Sequence, residues 1–152
     1  MYKVMVVDDE PASLQRLTRL IETYDMMKVY GQFTDGHELL MKLEHEKADV
    51  LFLDIEMPEI SGIELAKIIN KKHPEIAIVF VTAYEEYALS AFDVETIDYL
   101  LKPIRKEQLE RCLMRLEKRG SRPVQLSNKT GKKGKVFCFH KFLITSSEGE
   151  YV

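Results

Sequence analysis

The chain lacks the features that would direct it to a membrane, to secretion or to a thiolate metal site. Nowhere in its 152 residues does an apolar run approach the roughly 20 residues needed to cross a bilayer. The N-terminus has no basic region leading into a long apolar stretch and a cleavage site. A cytoplasmic protein with no membrane partner is expected. Cysteine is scarce: Cys112 and Cys138 lie in no C-x-x-C or other metal-ligand spacing, so both are expected to be reduced. Cys112 falls on the apolar face of a helical pattern, where its role is packing. The four histidines form no H-E-x-x-H or triad-like set, and "GKKGK" lacks the G-x-x-x-x-G-K-[ST] spacing of a phosphate-binding loop. What is present, 45% apolar and 31% charged residues, fits one globular domain with a modest extension.

The net charge of −3 conceals an asymmetry. Residues 1–101 carry 9 Lys and Arg against 20 Asp and Glu, whereas residues 102–141 carry 13 against 3. An acidic domain is followed by a basic helix and linker that are able to approach nucleic acid, although a solvated helix face and a lysine-rich linker would have the same composition.

Strand and helix patterns alternate along the chain. Val4 to Val7 is an apolar strand, and after "DDE" Pro11 marks a helix start with Leu14, Leu17 and Ile21 at helical spacing. Val29 to Phe33 forms a second strand, broken by Thr34, Asp35 and Gly36 before a helix carrying Leu39, Leu40 and Leu43. Val50 to Leu53 ends at Asp54; Pro58 and Gly62 punctuate the following loop, and Ile63, Ala66 and Ile69 mark a third helix that stops at "HPE". "IAIVFVT" is a fourth strand, Ala88 to Phe92 a short helix, "IDYLL" a fifth strand, and Leu109, Cys112, Leu113 and Leu116 stripe a final helix. Five strand–helix repeats with wholly apolar strands predict an α/β fold, a five-stranded parallel sheet doubly wound by helices.

Ligands in such folds bind beyond the carboxyl ends of the strands. Asp8 and Asp9 end the first strand, Asp54 the third and Thr82 the fourth, while Lys102 follows the fifth, so all five converge on one edge. Each also has a simpler explanation: Asp9 as a helix N-cap, Asp54 as a loop acid, Thr82 as a β-former and Lys102 as a surface charge. Their joint placement favours chemistry. Crowded carboxylates repel one another unless compensated, and a hard divalent cation such as Mg²⁺ compensates them through oxygen. A remaining carboxylate, Asp54 by position, is then able to attack phosphorus and form an acyl phosphate. Lys102 and Thr82 supply the charge and the hydroxyl that phosphoryl oxygens need.

The combination of "VVDDEP", "FLDIEMPEISG", "VFVTAYEEYALSAFDV" and "DYLLKPI" resembles the response-regulator receiver domain of bacterial two-component signalling, over about residues 1–120. The resemblance implies a flavodoxin-like (βα)5 fold with Asp54 phosphorylated by a sensor histidine kinase. It further implies that Asp8, Asp9, Asp54 and the Glu56 backbone carbonyl bind Mg²⁺, and that Lys102 contacts the phosphoryl group. Thr82 becomes the switch hydroxyl, Tyr99 the aromatic that moves with it, and Lys102–Pro103 a cis bond. An enzyme of the haloacid dehalogenase type also places an Asp after an apolar strand, but it needs a second Asp two residues later, where Glu56 stands.

Beyond the receiver, residues 121–135 have the composition of a basic linker, and "VFCFHKFLITSSEGEYV", residues 136–152, reads as a partial β-hairpin. About 30 residues cannot bury a core of their own, so this segment is expected to open a truncated C-terminal output domain. It is similar to the first strands of bacterial transcriptional activator domains, with a LytTR-type DNA-binding domain as the rival. Phosphorylation is expected to favour a homodimer through the surface around residues 84–101 and so to control transcription through DNA. A stand-alone receiver acting by protein contacts is the alternative.

Overall fold

The structure is a computed structural model that describes residues 1–85 and 94–121. The expected helix at Ala88–Phe92, nearly all of the linker at 121–135 and the hairpin at 136–152 lie outside the described residues.

Five strands form one parallel sheet in the order β2-β1-β3-β4-β5: β1 (Tyr2–Val7), β2 (Met27–Phe33), β3 (Val50–Leu53), β4 (Ala77–Thr82) and β5 (Asp98–Leu101). The three central strands are apolar because both of their faces are covered. Val4, Val6, Val50, Phe52, Ala77 and Val79 pack on one side with Leu14, Leu17, Leu109 and Cys112. Met5, Val7, Leu51, Leu53, Ile78 and Phe80 pack on the other with Leu39, Leu65 and Ile69. Alternate residues of one strand thus feed two cores, and truncating a large one such as Leu51, Leu65 or Ile69 to Ala costs about 2–5 kcal/mol. Cys112 is fully buried, which raises its thiol pKa well above the ordinary value and makes it a packing residue.

Four helices connect or close the sheet: α1 (Pro11–Ile21), α2 (Gly36–Leu43), α3 (Gly62–Lys72) and α4 (Lys106–Ser121). The first three starts each have a local cause. Pro11 takes the first turn of α1, where its missing N–H is no loss. The Asp35 side chain accepts from the His37 N–H at 3.0 Å to cap α2. Ser61 and Glu64 form a reciprocal capping box at α3. At α4, Arg111 and Arg115 converge on Asp98, the first residue of β5 and fully buried. Arg111 donates through Nε and Nη2 at 3.1 and 3.0 Å, and Arg115 Nη1 lies at 2.7 Å. Burial raises the Asp98 pKa, and the two guanidiniums oppose that rise.

The strands begin earlier than their apolar runs imply, at Tyr2 and Met27, because β1 and β2 already pair there, Tyr2 opposite Met27 and Lys3 opposite Lys28. The β1–β2 register slips between Val4 and Met5, leaving Tyr30 as the extra residue on edge strand β2.

Candidate functional site

In the order β2-β1-β3, the chain leaves β1 to one side for β2 and returns to the other for β3, which opens a crevice at the carboxyl ends of β1 and β3. Both strand-end carboxylates stand there. Asp8 is held by its own N–H, which donates to the Phe33 carbonyl at 3.0 Å, and its Oδ1 accepts the Glu10 N–H at 2.9 Å. The Asp54 N–H donates to the Val7 carbonyl at 3.0 Å, so the residue stays in register beside β1 after β3 has ended. Both are buried, whereas Asp9 is exposed. One carboxylate oxygen from each of Asp8, Asp9 and Asp54 lies within 4.8 Å of the others. The N-cap of α1 is Glu10, which makes no side-chain cap, so the simpler explanation of Asp9 as that cap does not apply.

Lys102 is brought in from the far side of the sheet. Its N–H donates to the Thr82 carbonyl at 2.8 Å, carrying the backbone one step past β5. Its Nζ reaches Asp8 Oδ2 at 2.8 Å, Asp54 Oδ2 at 3.4 Å and Ser13 Oγ at 3.5 Å. Burial by itself would lower the lysine pKa; the hydrogen bond to Asp8 and the charges of Asp54 and Asp8 outweigh it and raise the value. The balance at Asp54 runs the other way. Burial pushes its carboxyl up to about 6 and the Asp8 charge adds to the rise, against the pull of Lys102 and a hydrogen bond from the Glu56 backbone N–H. One lysine therefore under-compensates the cluster. The cluster would suit a hard divalent cation that keeps several waters: Asp8, Asp9 and Asp54 each offer a carboxylate oxygen, and Asp9 leaves one side open to solvent.

Thr82, the last residue of β4, is fully buried, and its Oγ1 accepts the Tyr84 N–H at 3.3 Å. The Tyr99 ring, half-buried on β5, meets Phe80 edge-on at 6.3 Å, and its hydroxyl donates to the Tyr84 carbonyl at 2.6 Å. Tyr84 thus ties Thr82 to Tyr99. The Glu56 side chain is exposed, with its peptide N–H against Asp54. Beneath these residues Gly62 closes the loop, its N–H donating to the Ile55 carbonyl at 2.8 Å. A Cβ there would overlap the Asp54 carbonyl oxygen. Lys102–Pro103 is cis.

The structure therefore gathers Asp8, Asp9, Asp54 and Lys102 at one point, with Thr82 at the end of β4 and Tyr99 within the neighbouring strand β5. Sequence reading passed over Ser13 and Tyr84. The available signal for Ser13 was its spacing of four from Leu17 and eight from Ile21, which puts a polar residue on the buried stripe of α1. A second group with metal-ligand atoms, Asp35, His37 and Glu59, is largely exposed, and Asp35 is already engaged as a cap.

Residues 4–114 match the family model described as the response regulator receiver domain. The chain belongs to this family. Among curated proteins the receiver is similar to the transcriptional regulatory protein BtsR of Salmonella typhimurium, at 41% identity over 122 residues, covering 80% of this chain and 51% of BtsR. Among solved structures it resembles the response regulatory domain of protein mrkE from Klebsiella pneumoniae, with a TM-score of 0.70 and 40% identity over 76% of this chain and 95% of that one. It also resembles RcsB from Salmonella enterica serovar Typhimurium bound to promoter rprA in the presence of the phosphomimetic BeF3⁻, with a TM-score of 0.70 and 30% identity over 77% of this chain and 99% of that one. The chain spans about half the length of the curated relatives it matches.

Proposed function

We propose that this receiver accepts a phosphoryl group on Asp54 from a sensor histidine kinase, in a Mg²⁺-dependent reaction, and thereby controls transcription. The observation that carries the reading is the shared lysine: Lys102 Nζ lies between Asp8 and Asp54, both buried, with exposed Asp9 completing the carboxylate cluster. In the transfer, an Asp54 oxygen bonds to phosphorus as the P–N bond to the kinase histidine breaks, and that bond's electron pair leaves with the imidazole nitrogen. Asp8, Asp9, Asp54 and the Glu56 backbone carbonyl would hold the cation, which when bound supplies positive charge to the phosphoryl oxygens. Lys102 turns from Asp54 toward a phosphoryl oxygen. Thr82 donates its hydroxyl to another, releasing the Tyr84 N–H, and Tyr99 then changes its hold on the Tyr84 carbonyl. The domain is a phosphoacceptor in signalling, with no substrate turnover beyond gaining and losing its own phosphoryl group.

We assign residues 1–120 to the receiver, 121–135 to a basic linker and 136–152 to the start of a DNA-binding output domain of the transcriptional activator or LytTR type. That BtsR is a transcriptional regulatory protein and that RcsB is seen bound to a promoter support an output that acts on DNA. Phosphorylation favours a homodimer, which presents two output domains to DNA. Among the described residues no helix is long and apolar enough to cross a membrane, and we place the protein in the cytoplasm with its kinase partner.

Intact mass after incubation with acetyl phosphate and Mg²⁺ tests the reading. One phosphoryl addition is expected in the wild type, absent in Asp54→Ala and reduced in Asp9→Ala. Addition that persists in Asp54→Ala would overturn it.

A further inference from the structure

We infer that Ser13 is a positioning residue for Lys102, an inference that rests on the phosphoacceptor reading above. Ser13 is 7% exposed in the first turn of α1, on a face otherwise given to Leu14, Leu17 and Ile21. Its hydroxyl has one proton, and that proton is committed: Oγ donates to Glu10 Oε1 at 2.8 Å. Glu10 stands at the N-cap of α1 but leaves the helix N–H groups uncapped and binds Ser13 instead. With its proton pinned, Ser13 faces its neighbours as an acceptor, toward Arg16 Nη2 at 3.4 Å and Lys102 Nζ at 3.5 Å.

An ammonium has three N–H donors, and the three acceptors around Lys102 are Asp8, Asp54 and Ser13. Phosphoryl transfer at Asp54 requires one donor to swing onto the incoming group. Asp8 and Ser13 hold the other two, fixing the ammonium on the α1 side so that the third turns with little reorganisation. A merely structural Ser13 would be a small residue where α1 meets the sheet, and Ala would serve that purpose equally well.

The test measures the rate of phosphoryl gain from acetyl phosphate with Mg²⁺, by intact mass on the full chain, for wild type, Ser13→Ala, Ser13→Thr, Lys102→Gln and the Ser13→Ala/Lys102→Gln pair. Loss of one acceptor from a charged donor predicts a fall of about fivefold in Ser13→Ala. Ser13→Thr, which restores the hydroxyl, should return the rate to within about twofold of wild type, and Ser13→Ala should add nothing in the Lys102→Gln background. Mg²⁺ affinity by calorimetry should be unchanged in Ser13→Ala, because Ser13 is not among the carboxylates that would hold the cation. An Ser13→Ala rate equal to wild type, an equal fall in the Lys102→Gln background, or a parallel loss of Mg²⁺ affinity would each overturn the role. A wild type that takes no phosphoryl group on Asp54 would remove the phosphoacceptor reading and this inference together, whereas a phosphorylated wild type matched by Ser13→Ala removes this one alone.

Discussion

Asp54→Asn should stabilise the metal-free domain at neutral pH and lose that advantage in acid. The Asp54 carboxyl rises from 3.8 to about 6 on folding, chiefly because the crevice withdraws it from water. Between those two values the native state holds a proton that the unfolded chain has released. Wild-type stability therefore falls as pH rises through the window and remains lower above it. Two units at 1.36 kcal/mol each set a ceiling of about 3 kcal/mol. Because the side chain keeps 9% of its surface in solvent beside Lys102, about 2 kcal/mol is the working figure. Asn preserves the shape and removes the charge, leaving Lys102 with Asp8. For a domain of this size that is roughly a 6–10 °C gain in Tm at pH 7.5, shrinking toward zero at pH 4. The chain has no Trp, so far-UV circular dichroism in the presence of a chelator is the suitable assay. Saturating Mg²⁺ at pH 7.5 should then raise the wild-type Tm more than that of Asp54→Asn, since it binds the carboxylate cluster of the folded state. The reasoning fails if the Tm difference is the same at pH 4 and pH 7.5, or if Asp54→Asn is the less stable protein at pH 7.5.

Three further perturbations address the frame that holds the site. Arg115→Ala should lower stability by about 2 kcal/mol, read from the urea midpoint, because it leaves buried Asp98 with Arg111 alone. Gly62→Ala should weaken Mg²⁺ binding in calorimetry as well as reduce stability by more than ~2 kcal/mol, since its Cβ would come within 2.8 Å of Ile55 Cα and push the loop that carries Asp54; unchanged affinity would show that the loop absorbs the methyl group. Ser61→Ala removes one half of the α3 capping box and should cost about 1 kcal/mol in chemical denaturation, with Ser61→Asp close to neutral.

The sequence by itself determined the alternation of strands and helices, the two-sided burial of the central strands and which polar side chains gather at one edge of the sheet. These follow from local signals: wholly apolar runs mark covered strands, acids and Gly or Pro mark their ends, and a parallel sheet brings successive strand ends to one edge. Which of two adjacent acids is buried was not legible. Asp8 and Asp9 are alike in sequence, but the Asp8 N–H continues the ladder to Phe33 and draws its side chain under Lys102, while Asp9 projects into solvent. Nor was the Asp98 clamp legible, since nothing local says that Arg111 and Arg115 turn inward. Ser13 was missed because its significance comes from Lys102, 89 residues away in the chain. The rise of the Asp54 pKa was equally hidden. It depends on how much water the crevice excludes and on a lysine held 3.4 Å away by the neighbouring strand ends, and only the folded sheet sets those two quantities.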